Sequence, residues 1–450
     1  MSATWTTEQI LALAPDSSSA KNGKALATPR KWVLLGQNEQ AVWGECQGSG
    51  KTPYQTQMDL TEIAFKCSCP SRKFPCKHGL GLFLLSTSEP AAFTSDPPPD
   101  WVTQWLNTRT QKRAKKSEPA AQVVDPSAQA KRVQQRYNKV AAGMQDLELW
   151  LRDLVRQGLA AAPGQPYRFW DGVAARMVDA QAPGVARKLR EMASIPHSGA
   201  GWQERLLEQL GLLYLLIEGF KRLDTLPPAT QADIRTLIGW TQSQEELLAT
   251  ASSDPNQVVR VGDAALKELL WLILGQRVVE EDKLRVQRLW LWGQESDRSA
   301  LILHFAHTSQ PLETSFVPGT IAEAELVFFE SAYPLRAILK TRHGASSQLD
   351  KMPGYKAIAD MMKAYAKATS HNPWIEQFPV PLPAVIPIHH NGSWFVRDSD
   401  GHQLPLMPRF YRAWQLLALS GGHPLGLFGE WDGEYLLPLS AYSNGTFVSF

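Results

Sequence analysis

Cysteine is scarce in this chain, four in 450 residues, which argues against a small secreted fold stapled by many disulfides. Since no signal peptide leads the sequence, a reducing compartment, the cytoplasm, is expected. An excess of one charge is lacking too: 46 Lys and Arg against 44 Asp and Glu leave a formal net charge of +2. Domains that bind nucleic acid strongly usually carry a clear basic excess, so the overall balance names no such partner. No apolar run approaches the ~20 residues needed to span a bilayer. The longest candidate, Leu206 to Glu218, is interrupted by charge and reads as a buried helix, so no membrane partner is expected. Also missing are H-E-x-x-H, G-x-S-x-G and any spaced carboxylate set that would name a reaction class, and no enzyme is expected. At 44% hydrophobic and 20% charged residues, what remains is an ordinary globular chain of two to four domains.

Three of the four cysteines fall in one short string, Cys67, Cys69 and Cys76, with His78 two residues further on. Three thiolates and an imidazole complete a tetrahedral set for a structural zinc, leaving no coordination position open for chemistry. Cys67 and Cys69 follow a strand-like run, Thr61 to Lys66, and on extended backbone residues two apart share a face. Cys76 and His78 stand at the start of an apolar stretch to Leu85 that reads as a short helix. A strand-end pair and a helix-start pair would clamp one ion. The alternatives are buried thiols beside an unrelated histidine, or a disulfide, although a C-x-C pair rarely reaches disulfide geometry. Zinc is preferred over iron or copper for a sulfur-rich tetrahedral site.

The spacing C-x-C, six residues, C-x-H, with Ser71-Arg72-Lys73-Phe74-Pro75 before its second pair, resembles the SWIM zinc finger. Trp43 to Tyr54 is similar to the segment that precedes this finger in bacterial proteins of this size, and Leu147 to Gly158 resembles a later part of them. The resemblance implies a zinc-stapled module that binds protein or DNA. It also implies a partner within a system of MoxR-type AAA+ ATPases and von Willebrand A domain proteins. A protein partner is expected first, and DNA bound through the finger and a basic linker is the alternative.

Gly48-Ser49-Gly50-Lys51-Thr52 has the tail of a phosphate-binding loop. The full pattern needs glycine where Glu45 stands, and the segment leads into Pro53 and a strand-like run where a P-loop would open a helix. It reads as a glycine-rich hairpin turn, and Cys46 before it as a strand cysteine.

Along the chain, residues 1–90 read as the zinc-finger module, with helical signals near Thr7 to Leu13 and Ser17 to Ala27 before the strands. Residues 91–130 read as a basic linker containing Pro, Ala and Ser, with room for a short helix at Trp101 to Leu106. Nine basic residues lie between Arg109 and Lys139, and Lys66, Arg72, Lys73 and Lys77 surround the ligand string. They are the candidate nucleic-acid or partner contacts, set against a solvated surface as the plainer reading. Residues 131–252 read as an α-helical bundle: Val133, Tyr137, Val140, Met144, Leu147, Leu151 and Leu154 recur at helical spacing. Residues 253–450 read as a mixed β-rich domain, with a barrel among its candidate shapes. The fold class is therefore α+β and multidomain. His304 and His307, and the adjacent His389 and His390, point to opposite strand faces and are not expected to share an ion.

Overall fold

In a computed structural model of the protein, the described residues are 5, 7–48, 50, 52–60, 63–71, 73–116, 126–240, 242–253, 269–281, 284–307, 312 and 316–450. The chain opens with α1 (Thr7–Ala12) and α2 (Ser17–Leu26), the latter capped by Asp16, whose carboxylate accepts the Ser19 N–H at 2.7 Å. An antiparallel meander follows in spatial order: β1 (Trp32–Gln37), β2 (Ala41–Cys46), β3 (Tyr54–Asp59) and β4 (Ala64–Cys67). Strand alternation sends Val42 and Cys46 to one face of this sheet and Ala41 and Trp43 to the other. Both faces are buried because each has its own helix. α3 (Lys77–Ser88) lays Leu82, Phe83 and Leu85 against the first, and α4 (Asp100–Lys116) lays Val102 and Leu106 against the second.

That second helix corrects the expectation of a linker over residues 91–130. Val102 and Leu106 are four apart, so they share one helix face, and Ala41 and Trp43 supply an apolar surface that must be covered. Polar contacts fix the helix in place: the Gln57 amide donates to the Trp101 carbonyl at 3.4 Å, and Arg109 pairs with the buried Asp59 at 3.2 Å. The expected basic stretch from Lys112 to Lys116 has its side chains outside the described residues, as have residues 117–125.

The bundle comprises α5 (Pro126–Gln157), α6 (Tyr167–Asp179), α7 (Pro183–Met192), α8 (Trp202–Lys221) and α9 (Pro228–Ile238), followed by α10 (Gln244–Ser253). The α5 stripe is buried at Val140, Met144, Leu147, Leu151 and Leu154, where it meets Trp170, Val185, Leu189, Leu210, Ile217 and Phe220. Val133, one turn beyond the packed region, is 60% exposed, so the repeat outruns the bundle.

In the C-terminal part, β5 (Leu270–Glu281), β6 (Leu284–Gly293), β7 (Ser299–His307), β8 (Thr320–Phe328) and β9 (Arg336–Gln348) close into a barrel in the order β5-β6-β7-β9-β8. One strand face fills it with Trp271, Ile273, Leu289, Leu291 and Ile302. The other face carries Leu272, Leu274, Trp290 and Trp292, which pack on Phe428 and Leu439 of a second sheet. After α11 (Ile358–His371), that sheet is built from β10 (Phe378–His390), β11 (Ser393–Arg397), β12 (Gln403–Pro405), β13 (Leu425–Trp431), β14 (Leu436–Ser443) and β15 (Thr446–Ser449), with α12 (Ala413–Ser420) inserted.

The proline-rich run Pro379 to Pro387 is a strand, β10, lying between β11 and β13. Its prolines avoid the usual penalty by position. Pro379, Pro381 and Pro383 occupy alternate residues, so their missing N–H groups share one edge. The Pro381 carbonyl on that edge accepts the Tyr355 N–H at 3.0 Å, facing away from the β13 ladder.

Side-chain and backbone bonds join bundle and C-terminal part. Trp374 Nε1 donates to the Leu212 carbonyl at 3.0 Å, the Ala332 N–H donates to Asp233 at 2.9 Å, and Lys188 pairs with Glu376. Among the described residues no helix is long and apolar enough to cross a membrane.

Candidate metal centre

The four expected ligands meet where β4 ends and α3 begins. Cys67 is the last residue of β4 and lies opposite Thr56 of β3. Cys69 follows two residues on, which returns its side chain to the same side of extended backbone. Cys76 is the N-cap of α3, and His78 lies in the first turn. The Gly48–Thr52 segment falls in the connection between β2 and β3, whose pairing begins at Cys46 and Tyr54. It joins two strands and opens no helix.

Ligand atoms of Cys67, Cys69, Cys76 and His78 all lie within 4.8 Å of one another. The sulfurs of Cys67 and Cys76 stand 3.7 and 3.9 Å from His78 Nδ1. A tetrahedron with Zn–S of about 2.3 Å and Zn–N of about 2.0–2.1 Å has edges of about 3.6–3.8 Å. The donors are therefore already spaced for zinc, with Nδ1 as the histidine's facing atom. Cys76 and His78 are buried, Cys67 and Cys69 half-buried.

Electrostatics give the same reading. Its hydrogen bond to Cys76, together with burial, pushes the Cys67 thiol up to about 12, and burial pushes Cys69 up. Cys76 moves down: the Cys67 thiol donates to its sulfur, and against the cost of burial the Gly79 N–H at the helix start adds a second donor. One thiolate forms readily and the next two are resisted, so a dication supplies the charge this donor set needs. Cys46 takes no part; it is buried in β2, and burial pushes its thiol up to about 11.

Thr56 went unnoticed in the ligand string. Its hydroxyl lies 3.2 Å from Cys67 Sγ and can donate to a thiolate there. Pairing the run from Tyr54 to Asp59 against the strand that ends at Cys67 would have located it. Around the centre, Lys66 and Lys77 are exposed. Lys73 pairs with Asp16 at 2.7 Å, which with the Ser19 N–H holds that carboxyl at about 2 and ties the loop to the α2 cap. Arg72 lies outside the described residues.

The remaining histidines form no comparable cluster among the described residues. His304 and His307 lie in β7, across from Gln287 and Leu284. His389 stacks near Trp394, with ring centroids 4.6 Å apart. Asp398, Asp400 and His402 also come together, but Asp398 spends its oxygens on the N–H groups of Ile358, Asp400 and His402 at 2.8–3.1 Å. That is loop architecture.

The SWIM zinc finger family model matches residues 56–86, from Thr56 into α3. The model of the SWIM-associated four-helix bundle domain matches residues 135–238, from within α5 to the end of α9. The chain is a SWIM zinc finger protein, and its cofactor is a structural zinc. SWIM domains are interaction modules, and neither matched domain is typically catalytic. No curated protein and no solved structure matched the chain.

Proposed function

We propose that this chain is a non-enzymatic, cytoplasmic adaptor. Cys67, Cys69, Cys76 and His78 bind its zinc, and the folded N-terminal module is presented to a protein partner. The observation that carries the reading is the complete donor set. Four protein ligands fill a tetrahedral ion, so the metal stabilises a surface and no position remains for substrate. Four free cysteines agree with a reducing compartment. The resemblance to bacterial SWIM-containing proteins points to a MoxR-type AAA+ ATPase or von Willebrand A domain protein as the partner class.

DNA binding is the second reading, favoured by the exposed Lys66 and Lys77 beside the centre. Against it, Lys73 and Arg109 are engaged by Asp16 and Asp59 within the module, so part of the local basic charge is already neutralised. The test is an affinity pull-down from native cells with nuclease treatment, read by mass spectrometry. A stoichiometric ATPase or von Willebrand A domain protein supports the adaptor. Absence of such a protein, with a low-salt DNA complex abolished by Lys66→Glu and Lys77→Glu, supports the alternative.

A further inference from the structure

A cavity of ≈ 450 Å³ opens where α9, the barrel and the α11–β10 connection meet. Its walls are aromatic: Trp240 just beyond α9, Trp290 of β6, Phe329 and Tyr333 between β8 and β9, and Trp374 after α11. Sites for small organic ligands commonly have this character, ~300–1,000 Å³ of mostly apolar wall with a few polar groups that fix orientation.

Most polar groups lining the cavity are already committed. Glu376 is held by Lys188 and Arg187, Arg288 by Glu430, and Asp233 by the Ala332 N–H. Arg235 bonds to Gln231, and Glu330 sits exposed at the rim. Arg336 is different. Its guanidinium lies 4.3 Å from the Phe329 ring centroid, and it has no carboxylate or hydrogen-bond acceptor among the described residues. Burial pushes its pKa below the ordinary arginine value. Trp240 Nε1, on the same cavity, is shielded from solvent and donates to nothing among the described residues. The Trp240 ring is held from behind by Arg136, which stacks at 5.1 Å and donates to the Gly239 carbonyl. A half-buried cation and a buried N–H, both lacking acceptors, lower the stability of the empty fold.

We propose that this cavity binds a small organic anion, whose carboxylate or phosphate is taken by Arg336 and Trp240 Nε1 while a flat body lies against the aromatic walls. Arginine suits either head group because its planar fork meets two oxygens at once. Nothing in this proposal depends on the zinc centre or on the adaptor reading.

The full chain is titrated with naphthalene-2-carboxylate, adenosine monophosphate and inorganic phosphate by calorimetry, with tryptophan fluorescence in parallel. Expected is saturable binding of one flat anion, at least about tenfold tighter than inorganic phosphate and weakened at least about tenfold by Arg336→Gln. Trp240→Phe, which keeps the ring and removes the donor, should weaken it several-fold. A second readout needs no ligand: Arg336→Met should raise the unfolding midpoint of the free protein, because an unpaired charge is lost. Failure of both flat anions to bind at millimolar concentration, unchanged binding by Arg336→Gln, or a lowered midpoint in Arg336→Met each overturns the proposal. The cavity then holds only water, or Arg336 is structural.

Discussion

Glu430 should be among the most sensitive positions in the C-terminal half. It lies in β13 with 2% exposure, and its two oxygens serve three donors from the barrel wall. Arg277 of β5 bonds one oxygen at 3.0 Å, while Arg288 and Trp290 Nε1 of β6 bond the other at 3.0 and 2.7 Å. In Glu430→Ala, Arg288 loses its counter-charge and the buried indole N–H loses its acceptor. Removing one partner of a buried pair costs ~3–5 kcal/mol. The Arg277 side chain is 37% exposed and can turn to water, so the lower end, about 3 kcal/mol, is expected. For a region of this size that lowers the melting midpoint by ~6–12 °C. Glu430→Gln should lose about half as much, because its amide oxygen still accepts from Arg288 and Trp290 while its NH2 meets Arg277. Differential scanning calorimetry gives the midpoint, and hydrogen exchange at β5, β6 and β13 amides assigns the transition. A shift under ~2 °C for Glu430→Ala would show that the cluster is solvated, and would refute the reasoning.

Chelation of the metal, or Cys76→Ser, should expose amides of 64–88 to exchange and leave the bundle and barrel protected, since metal binding is folding free energy for the module alone. Elemental analysis of fresh protein should give about one zinc per chain, and less than about half would undermine the centre. Gly184→Ala would place a methyl group on the Leu237 carbonyl oxygen where α7 meets α9. A loss of ~1–3 kcal/mol is expected, read from far-UV circular dichroism melts, and an unchanged melt would mean the helices can part without cost. For Asp398, burial alone would raise the carboxyl, yet the Ile358 and His402 N–H groups, the His402 ring and the Asp400 N–H outweigh it and hold it below its ordinary value of 3.8. A depressed carboxyl stabilises above its unfolded pKa, and that stability is lost as pH falls through the folded value. The advantage of wild type over Asp398→Asn should therefore be constant above about pH 5 and shrink below about pH 4, and a pH-independent difference would contradict it.

Ligand spacing, the α5 stripe and the turn between β2 and β3 were legible along the chain because each rests on a local period or on residues a few positions apart. C-x-C on extended backbone and C-x-H at a helix start leave little freedom in where four donors point, and the structure brings them together. Elements whose reason lies far away in sequence were not legible. α4 read as linker because a basic stretch with one apolar turn forms a stable helix only when Ala41 and Trp43 offer it a surface. β10 read as irregular because proline is judged by its local cost, and only the sheet shows that its missing donors face the edge away from β13. Thr56 became part of the centre through strand register, and Glu430 and the cavity at Arg336 through contacts between segments more than a hundred residues apart. By itself, then, the sequence determined the zinc ligands and the order of helical and β-rich regions, because these depend on near neighbours. The tertiary structure alone decided which buried charges are paired and which donors are left without an acceptor, because pairing depends on which distant segments are packed together.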